Sequence, residues 1–317
     1  PEAGPRLSQL EEKLRFADAL LVMQALEPYT PAEIELIKKF VDKGGRLLMV
    51  GDPVRWHSLN SLSTTFGVIF EDDYLYNVVE HESNYQNIFL TNFREHPLTR
   101  GLKKVVFYRT SSLKVASGGV IFTDDYTYSS TVERRGRFAT LAEPRPGVLA
   151  LSDFSFMTEP YNTAWDNDRL ISNLADYLTQ GKRAFDLSDF PYFFGQEVDI
   201  VVEDESLLSS GSAVKNLLSN TGRKAELARE ENLSRDTVFL GLFEGTKLGR
   251  YLAQDNIQVS PLIRTPFAPP LPQKSASFLY FVPGSERQVL IILTDTPQTM
   301  AAVADGLRNG SFRRVLV

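Results

Sequence analysis

Apolar positions along the chain switch repeatedly between helical spacing and short continuous runs. From Thr30 to Pro53, TPAEIELIKKFVDKGGRLLMVGDP sets Ile34, Ile37 and Val41 at helical intervals while Lys38, Lys39, Asp42 and Lys43 fall mostly off that stripe. The segment therefore predicts a helix with one buried face. Thr30-Pro31-Ala32-Glu33 reads as its start, because threonine caps the first amides, proline suits the first helical position and Glu33 reaches back to the cap. Gly44-Gly45 permits a left-handed stop, and Leu47 to Val50 is too short an apolar run for a helix, hence a strand. With a further strand at Ala19 to Met23, the unit is strand, helix, strand, a crossover that predicts two parallel neighbours covered by the helix. Ligands in open sheets of this kind bind beyond the carboxyl ends of the strands, which makes Gly51-Asp52-Pro53 the candidate site loop.

The alternation continues downstream. Leu59, Leu62 and Phe66 recur at helical spacing, Gly67 ends that turn, and Val68 to Phe70 resumes as a strand. Between Tyr76 and Tyr128 the pattern loosens into short pieces, Ile88 to Leu90, Val105 to Tyr108, Ser112 to Val115 and Gly119 to Phe122, that predict an antiparallel insertion. Ser129 to Pro146 is charged and punctuated by glycine and proline, with Glu133, Arg134, Arg135 and Arg137 around Gly136, and reads as a solvated hairpin or loop. Gly147 to Leu151 is a strand ending at Ser152-Asp153-Phe154, and Asp166 to Leu178 is an amphipathic helix presenting Leu170, Leu174 and Leu178. The first domain closes at about residue 183, and a second, smaller α/β domain occupies 184–317. Its expected strands are Val198 to Val202, Ala225 to Ala228, Thr237 to Phe243, Ile257 to Ser260, Phe278 to Val282, Gln288 to Leu293 and Arg313 to Val317. Helices are expected near 212–220, 247–254 and 297–307, and the proline-rich PLIRTPFAPPLPQKS reads as a stiff external connection.

Composition narrows the function classes. A chain of 317 residues with 43% hydrophobic content supports two domains with sizeable cores. The net charge of −6 and the dispersed basic residues lack the footprint of a nucleic-acid binder. No apolar run approaches the roughly 18 residues of a membrane span. Both ends read as points where flanking segments, anchors among them, are cut away, so membrane anchoring is expected only through segments outside this sequence. The absence of cysteine removes disulfides, thiolate nucleophiles and cysteine-bound zinc together.

Three separated stretches carry a family resemblance: ADALLVMQALEPYTPAEIELIKKFVDKGGRLLMVGDP, then EHPLTRGL from Glu95 to Leu102, then ALSDFSFMTEPYNTAWDNDRLISNLADYL from Ala150 to Leu178. Together they resemble the GIFT-type, class I glutamine-amidotransferase-like domains of gliding-motility ABC-transporter accessory proteins, intraflagellar transport proteins and an uncharacterised bacterial family of membrane-anchored proteins. The resemblance covers about the first 180 residues and implies a flavodoxin-like, mostly parallel sheet flanked by helices. In true amidotransferases of this fold the strand equivalent to Arg46 to Val50 ends in a turn bearing a nucleophilic cysteine. Here Asp52 stands in that place, and a carboxylate cannot replace a thiolate in glutamine hydrolysis. The resemblance thus implies a degenerate, non-catalytic version used for binding or assembly.

The remaining chemistry concentrates at strand ends. Asp52 and Asp153 occupy analogous positions; Trp56 and His57 follow the first of them, and these four are the candidate ligand-binding residues. Asp52 also reads as a helix N-cap. Two neighbouring carboxylates would suit acid/base work or a magnesium or calcium ion if they lie close together. His96, before Pro97, reads as structural, and His81 between Glu80 and Glu82 lacks the same-face spacing of a metal site. The acidic pairs Asp72-Asp73, Asp124-Asp125 and Asp166 with Asp168 read as turn or cap residues. No Gly-x-Ser-x-Gly elbow and no phosphate-binding glycine loop occurs, and Ser210-Gly211-Ser212 reads as a helix opening without a base.

The leading expectation is a non-catalytic binding or scaffold module without cofactor or metal, the extracytoplasmic soluble part of a bacterial envelope protein or transporter accessory, with a cytoplasmic location as the alternative. A protein partner or an envelope polymer or sugar is favoured over a metabolite. The competing expectations are a hydrolase or metal-assisted enzyme using Asp52, His57 and Asp153, and a sugar or polymer binder using Trp56, Tyr74, Tyr76 or Tyr161 in an open groove.

Overall fold

The computed structural model describes residues 5–23, 25–53, 58–132, 134–284 and 286–311. The expected strand at Arg313 to Val317 lies outside these residues, as do Trp56, His57 and Glu133. The fold is mixed α/β, and the chain divides into two compact units, Pro1–Ala184 and Phe185–Val317.

The first unit opens with α1 (Pro5–Leu14), β1 (Ala19–Met23), α2 (Pro31–Asp42) and β2 (Arg46–Val50). The capping box at α2 forms as its sequence dictates: Glu33 N donates to Thr30 Oγ1 at 3.3 Å and Thr30 N to Glu33 Oε2 at 2.8 Å. Glu33 is buried and pairs with Arg6 Nε at 3.1 Å. Gly44, at φ +92, supplies the left-handed turn that returns the chain to β2. After the short α3 (Asn60–Ser63) come β3 (Val68–Phe70), β4 (Leu75–Tyr76), β5 (Asn87–Leu90), β6 (Asn92–Phe93) and β7 (Val105–Tyr108). Then follow β8 (Leu113–Val115), β9 (Gly119–Phe122), β10 (Tyr128–Ser129), β11 (Ala139–Arg145), β12 (Val148–Leu151) and α4 (Asn167–Thr179).

The main sheet runs β1-β2-β12-β11-β8-β3, with β9 beside β11 and β6 beside β9. β1, β2 and β12 are parallel, and every other pairing in it is antiparallel. Successive residues of β2 and β12 therefore enter two cores. Leu47, Met49, Val148 and Ala150 pack with Ile37, Phe40 and Val41 of α2, while Leu48, Val50, Leu149 and Leu151 pack with Leu170 and Leu174 of α4.

Two expectations change here. The first sheet is not mostly parallel, because β12 is reached from β11 through a tight turn at Gly147 (φ +86), which makes the pair a hairpin. The segment read as a wholly solvated loop contains β11, whose Ala139, Thr140, Leu141 and Ala142 are buried in the middle of the sheet. Its small residues and trailing Glu143-Pro144-Arg145 masked the strand.

The second unit comprises β13 (Glu197–Val202), α5 (Leu208–Asn220), β14 (Lys224–Ala228), β15 (Asp236–Leu242) and α6 (Gly249–Gln254). It continues with β16 (Leu262–Thr265), β17 (Ala268–Pro272), β18 (Ser277–Val282), β19 (Val289–Thr294) and α7 (Pro297–Asn309). Its sheet, ordered β14-β13-β15-β19-β18, is parallel except for the β18 edge. α5 and α7 cover one face through Val214, Leu218, Met300 and Val303, and α6 covers the other through Leu252. The proline-rich segment is not a plain connection: β16 and β17 pair antiparallel, and Pro269, Pro270 and Pro272 sit in the exposed second strand, where a missing amide is tolerated. Ile257 to Ser260 forms no strand, and Ser210-Gly211-Ser212 lies inside α5 rather than opening it. Among the described residues, no helix is long and apolar enough to cross a membrane.

Candidate functional site

β2 and β12 are adjacent and parallel, with Val50 opposite Leu151, and Gly51 N donates to the Leu151 carbonyl at 2.9 Å. This register places Asp52 and Asp153 at neighbouring strand ends, each two residues beyond its strand. Both are buried, Asp52 at 3% and Asp153 at 0% exposure. Asp52 does not cap the next described helix, α3, which begins at Asn60 after Leu59.

The two carboxylates have different work. Asp153 spends both oxygens on backbone amides: Oδ2 accepts from Tyr108 N at 2.5 Å and Oδ1 from Ser155 N at 2.6 Å. It thereby ties the end of β7 to the loop after β12. Burial pushes Asp153 up to about 7, against the pull of those amides and with help from the neighbouring Asp52 charge. Asp52 instead lines a cavity of about 370 Å³ together with Asn84, Asn87, Tyr108, Arg109 and Tyr161. Ser155, whose amide Asp153 holds, lies in the same wall.

Arg109 takes φ +60, a left-handed conformation costing a non-glycine residue about 1 kcal/mol or more. The chain on both sides holds it there. Tyr108 N is fixed by Asp153, Arg109 N donates to Gln86 O at 3.0 Å, and the Thr110 carbonyl accepts from Leu75 N at 2.8 Å. Thr110 Oγ1 is also 2.7 Å from Ser152 Oγ. The Tyr108 and Tyr161 rings lie 4.1 Å apart. Burial, then the nearby Glu82, Tyr161 and Asp153, push the Tyr108 phenol up to about 12, so its hydroxyl remains a neutral donor.

The cavity brings together Asp52 with residues the strand-end argument did not reach: Asn84, Asn87, Tyr108, Arg109 and Ser155. Asp153 stands behind the wall rather than in it. All of the missed residues but Ser155, which follows Asp153, sit in or beside the antiparallel β5 and β7, where no parallel strand-end rule applies, and a left-handed arginine carries no sequence signature.

Two larger hollows occur in the same unit. One of about 730 Å³ is rimmed by Arg94, His96, Pro97 and Arg100. There His96 Nδ1 accepts from Leu98 N at 3.2 Å, so Nε2 carries the proton and donates to Glu143 Oε2 at 2.7 Å. Glu143 Oε1 also accepts from Gly147 N at 2.7 Å and from the Tyr177 hydroxyl, which in turn takes Arg46 Nη1 at 2.8 Å. Burial alone would raise Glu143, but Tyr177, His96 and Gly147 outweigh it and hold the carboxyl below its usual range. These groups are spent on one another and form a clamp. The other hollow, about 450 Å³, borders Asp73, whose carboxylate is held by Ser112 N, Ser112 Oγ and Ser129 Oγ at 2.8, 2.9 and 2.6 Å. Asp124 and Asp166 likewise serve turns, Asp124 through Tyr126 N and Thr127 Oγ1 and Asp166 through the amides of Lys103 and Lys104. Among the described residues no group of three or more His, Asp and Glu side chains is placed to hold a metal ion.

No protein-family model matches the chain, and no curated protein matches it. Among solved structures it is similar to the mmIFT52 N-terminal domain, with 19% identity and a TM-score of 0.43 over 55% of this chain and 82% of that one. That neighbour is of the intraflagellar-transport kind named by the sequence resemblance. It is also similar to the cytoplasmic protein STM3548 from Salmonella typhimurium, at 12% identity and a TM-score of 0.31 over 55% of this chain and 75% of that one. At these TM-scores neither likeness bears on function.

Proposed function

We propose that this chain is a non-catalytic binding or scaffold protein whose first unit holds its ligand in the crevice at the ends of β2 and β12. The observation that carries this reading is the fate of Asp153. A carboxylate pair acting on a substrate or a metal needs both members facing the reacting atom. Here one member is fully enclosed, with each oxygen committed to a backbone amide, and Asp52 alone faces the cavity. What surrounds Asp52 is a mixture of amide, phenol and guanidinium groups of the kind that orients a ligand in a cleft of about this volume. Glutamine hydrolysis has no thiolate to run on, since the sequence contains no cysteine.

On the sequence resemblance we assign the first unit to the GIFT-type, amidotransferase-like group with a flavodoxin-like core, and the protein to the extracytoplasmic part of a bacterial envelope or transporter-accessory system. The parallel β1-β2-β12 ribbon with α2 and α4 on opposite faces is consistent with such a core. A second reading, recognition of an envelope sugar or polymer, is favoured by a tyrosine platform. Tyr76 lies 6.0 Å from Tyr74, 6.1 Å from Tyr85 and 5.4 Å from Tyr128, and Tyr74 and Tyr85 are 41% and 49% exposed.

A thermal-shift screen on the wild type and Asp52→Ala tests the proposal. A ligand should stabilise the wild type in proportion to its occupancy, lose that effect in the variant and be recovered chemically unchanged. Conversion of the ligand by the wild type would overturn the non-catalytic reading.

A further inference from the structure

We infer that the crevice takes a small hydroxylated anion, a carboxylate or phosphate bound by Arg109 with a ligand hydroxyl donated to Asp52. This rests on the binding reading above and gives it a ligand class. Arg109 is exposed at the cavity wall, and among the described residues its guanidinium makes no hydrogen bond or ion pair. Its backbone is nevertheless kept in a costly left-handed conformation by bonds to the residues on both sides. A strained residue that is over-determined by its surroundings and carries an uncommitted charge into a cavity is better explained by what it holds than by what it stabilises. The rest of the lining is rich in donors. Tyr108 and Tyr161 offer hydroxyls, Asn87 an amide and Asn84 its Nδ2, since only Asn84 Oδ1 is used, accepting from Gln86 N at 3.0 Å. Against these stands one carboxylate, Asp52. Such an inventory matches a ligand with several acceptor oxygens, a planar anion suited to the guanidinium fork and at least one hydroxyl.

The test titrates D-glucuronate and glycerol 3-phosphate, with D-glucose and glycerol as neutral counterparts, against the full chain by thermal shift and calorimetry. At least one anion should bind saturably, with the neutral counterpart tenfold or more weaker. The choice between the two anions tells carboxylate from phosphate. Arg109→Gly, which relieves the backbone conformation, should raise the melting temperature and weaken anion binding tenfold or more. Arg109→Gln should weaken binding as much without the gain in stability. Saturation by neither anion, or equal binding by Arg109→Gly and the wild type, would overturn the inference, as would a fall in the melting temperature of the glycine variant. A neutral ligand that binds the wild type, fails with Asp52→Ala and is indifferent to Arg109→Gly would sink the anion while sparing the binding module.

Discussion

The two units present parallel strand ends of very different character. In the second unit the chain leaves β13 for β14 on one side and then returns to β15 on the other, the reversal at which α/β sheets commonly open a crevice. Glu203, just beyond β13, stands at this position. Its Oε1 accepts from Lys247 N at 3.0 Å, and its Oε2 lies where a Cβ on Gly241 would come within 2.3 Å. In the first unit β2 and β12 have no such reversal between them, yet their ends open into a cavity. The opening is built by the antiparallel β5 and β7 region, which brings Asn87, Tyr108 and Arg109 over Asp52. Topology marks where a crevice can form, but side chains decide whether it does.

That contrast can be tested through the pH dependence of stability, where the largest effect is expected. Asp153 sits at about 7 in the folded protein and near 3.9 unfolded. A raised value means the native state holds its proton more tightly. Its contribution is complete below about pH 4 and fades as pH rises through 7, a change on the order of 4 kcal/mol. Denaturant midpoints for the first unit should fall across this window. Asp52→Asn, by removing the neighbouring charge, should lower the upper end of the slope. A slope unchanged by that substitution would remove the coupling between the two strand ends.

A smaller loss is expected from Asp153→Ala measured at pH 5. It strands the amides of Tyr108 and Ser155, at about 1–3 kcal/mol for each unsatisfied group. Ligand binding should disappear with it, because the end of β7 and the loop after β12 are no longer tied. Binding retained at full strength in a folded Asp153→Ala protein would show that the cavity needs no such tie.

The smallest effect tests the other side of the comparison. Gly241→Ala should displace the Glu203 carboxylate at a cost of about 1–2 kcal/mol, read by urea denaturation, and should leave ligand affinity in the first unit unchanged. A drop in that affinity would mean that the two strand-end regions are not independent.

Local chemistry made much of this molecule readable. Thr30, Pro31 and Glu33 announce α2, Gly44 ends it, and the runs Ala19 to Met23 and Leu47 to Val50 give the parallel pair, because caps, glycine turns and hydrophobic period act within a few residues of one another. The same period locates α4, α7 and most of the second sheet. Asp52 was legible as a strand-end candidate because it follows a strand of that pair.

β11 was hidden because its burial comes from neighbours distant in sequence, not from a strong apolar run of its own. The division of labour between Asp52 and Asp153 could not be read either. It depends on which amides fold back onto Asp153, and those belong to Tyr108, 45 residues earlier, and to Ser155. Arg109 was the furthest from reach: its left-handed backbone is imposed by Gln86, Leu75 and Asp153, contacts that exist only once the sheet has closed. Sequence by itself determined most of the elements and the strand end where a ligand could sit. Tertiary structure decided which side chains meet there, because a binding wall assembled from separate loops is a long-range property of the chain.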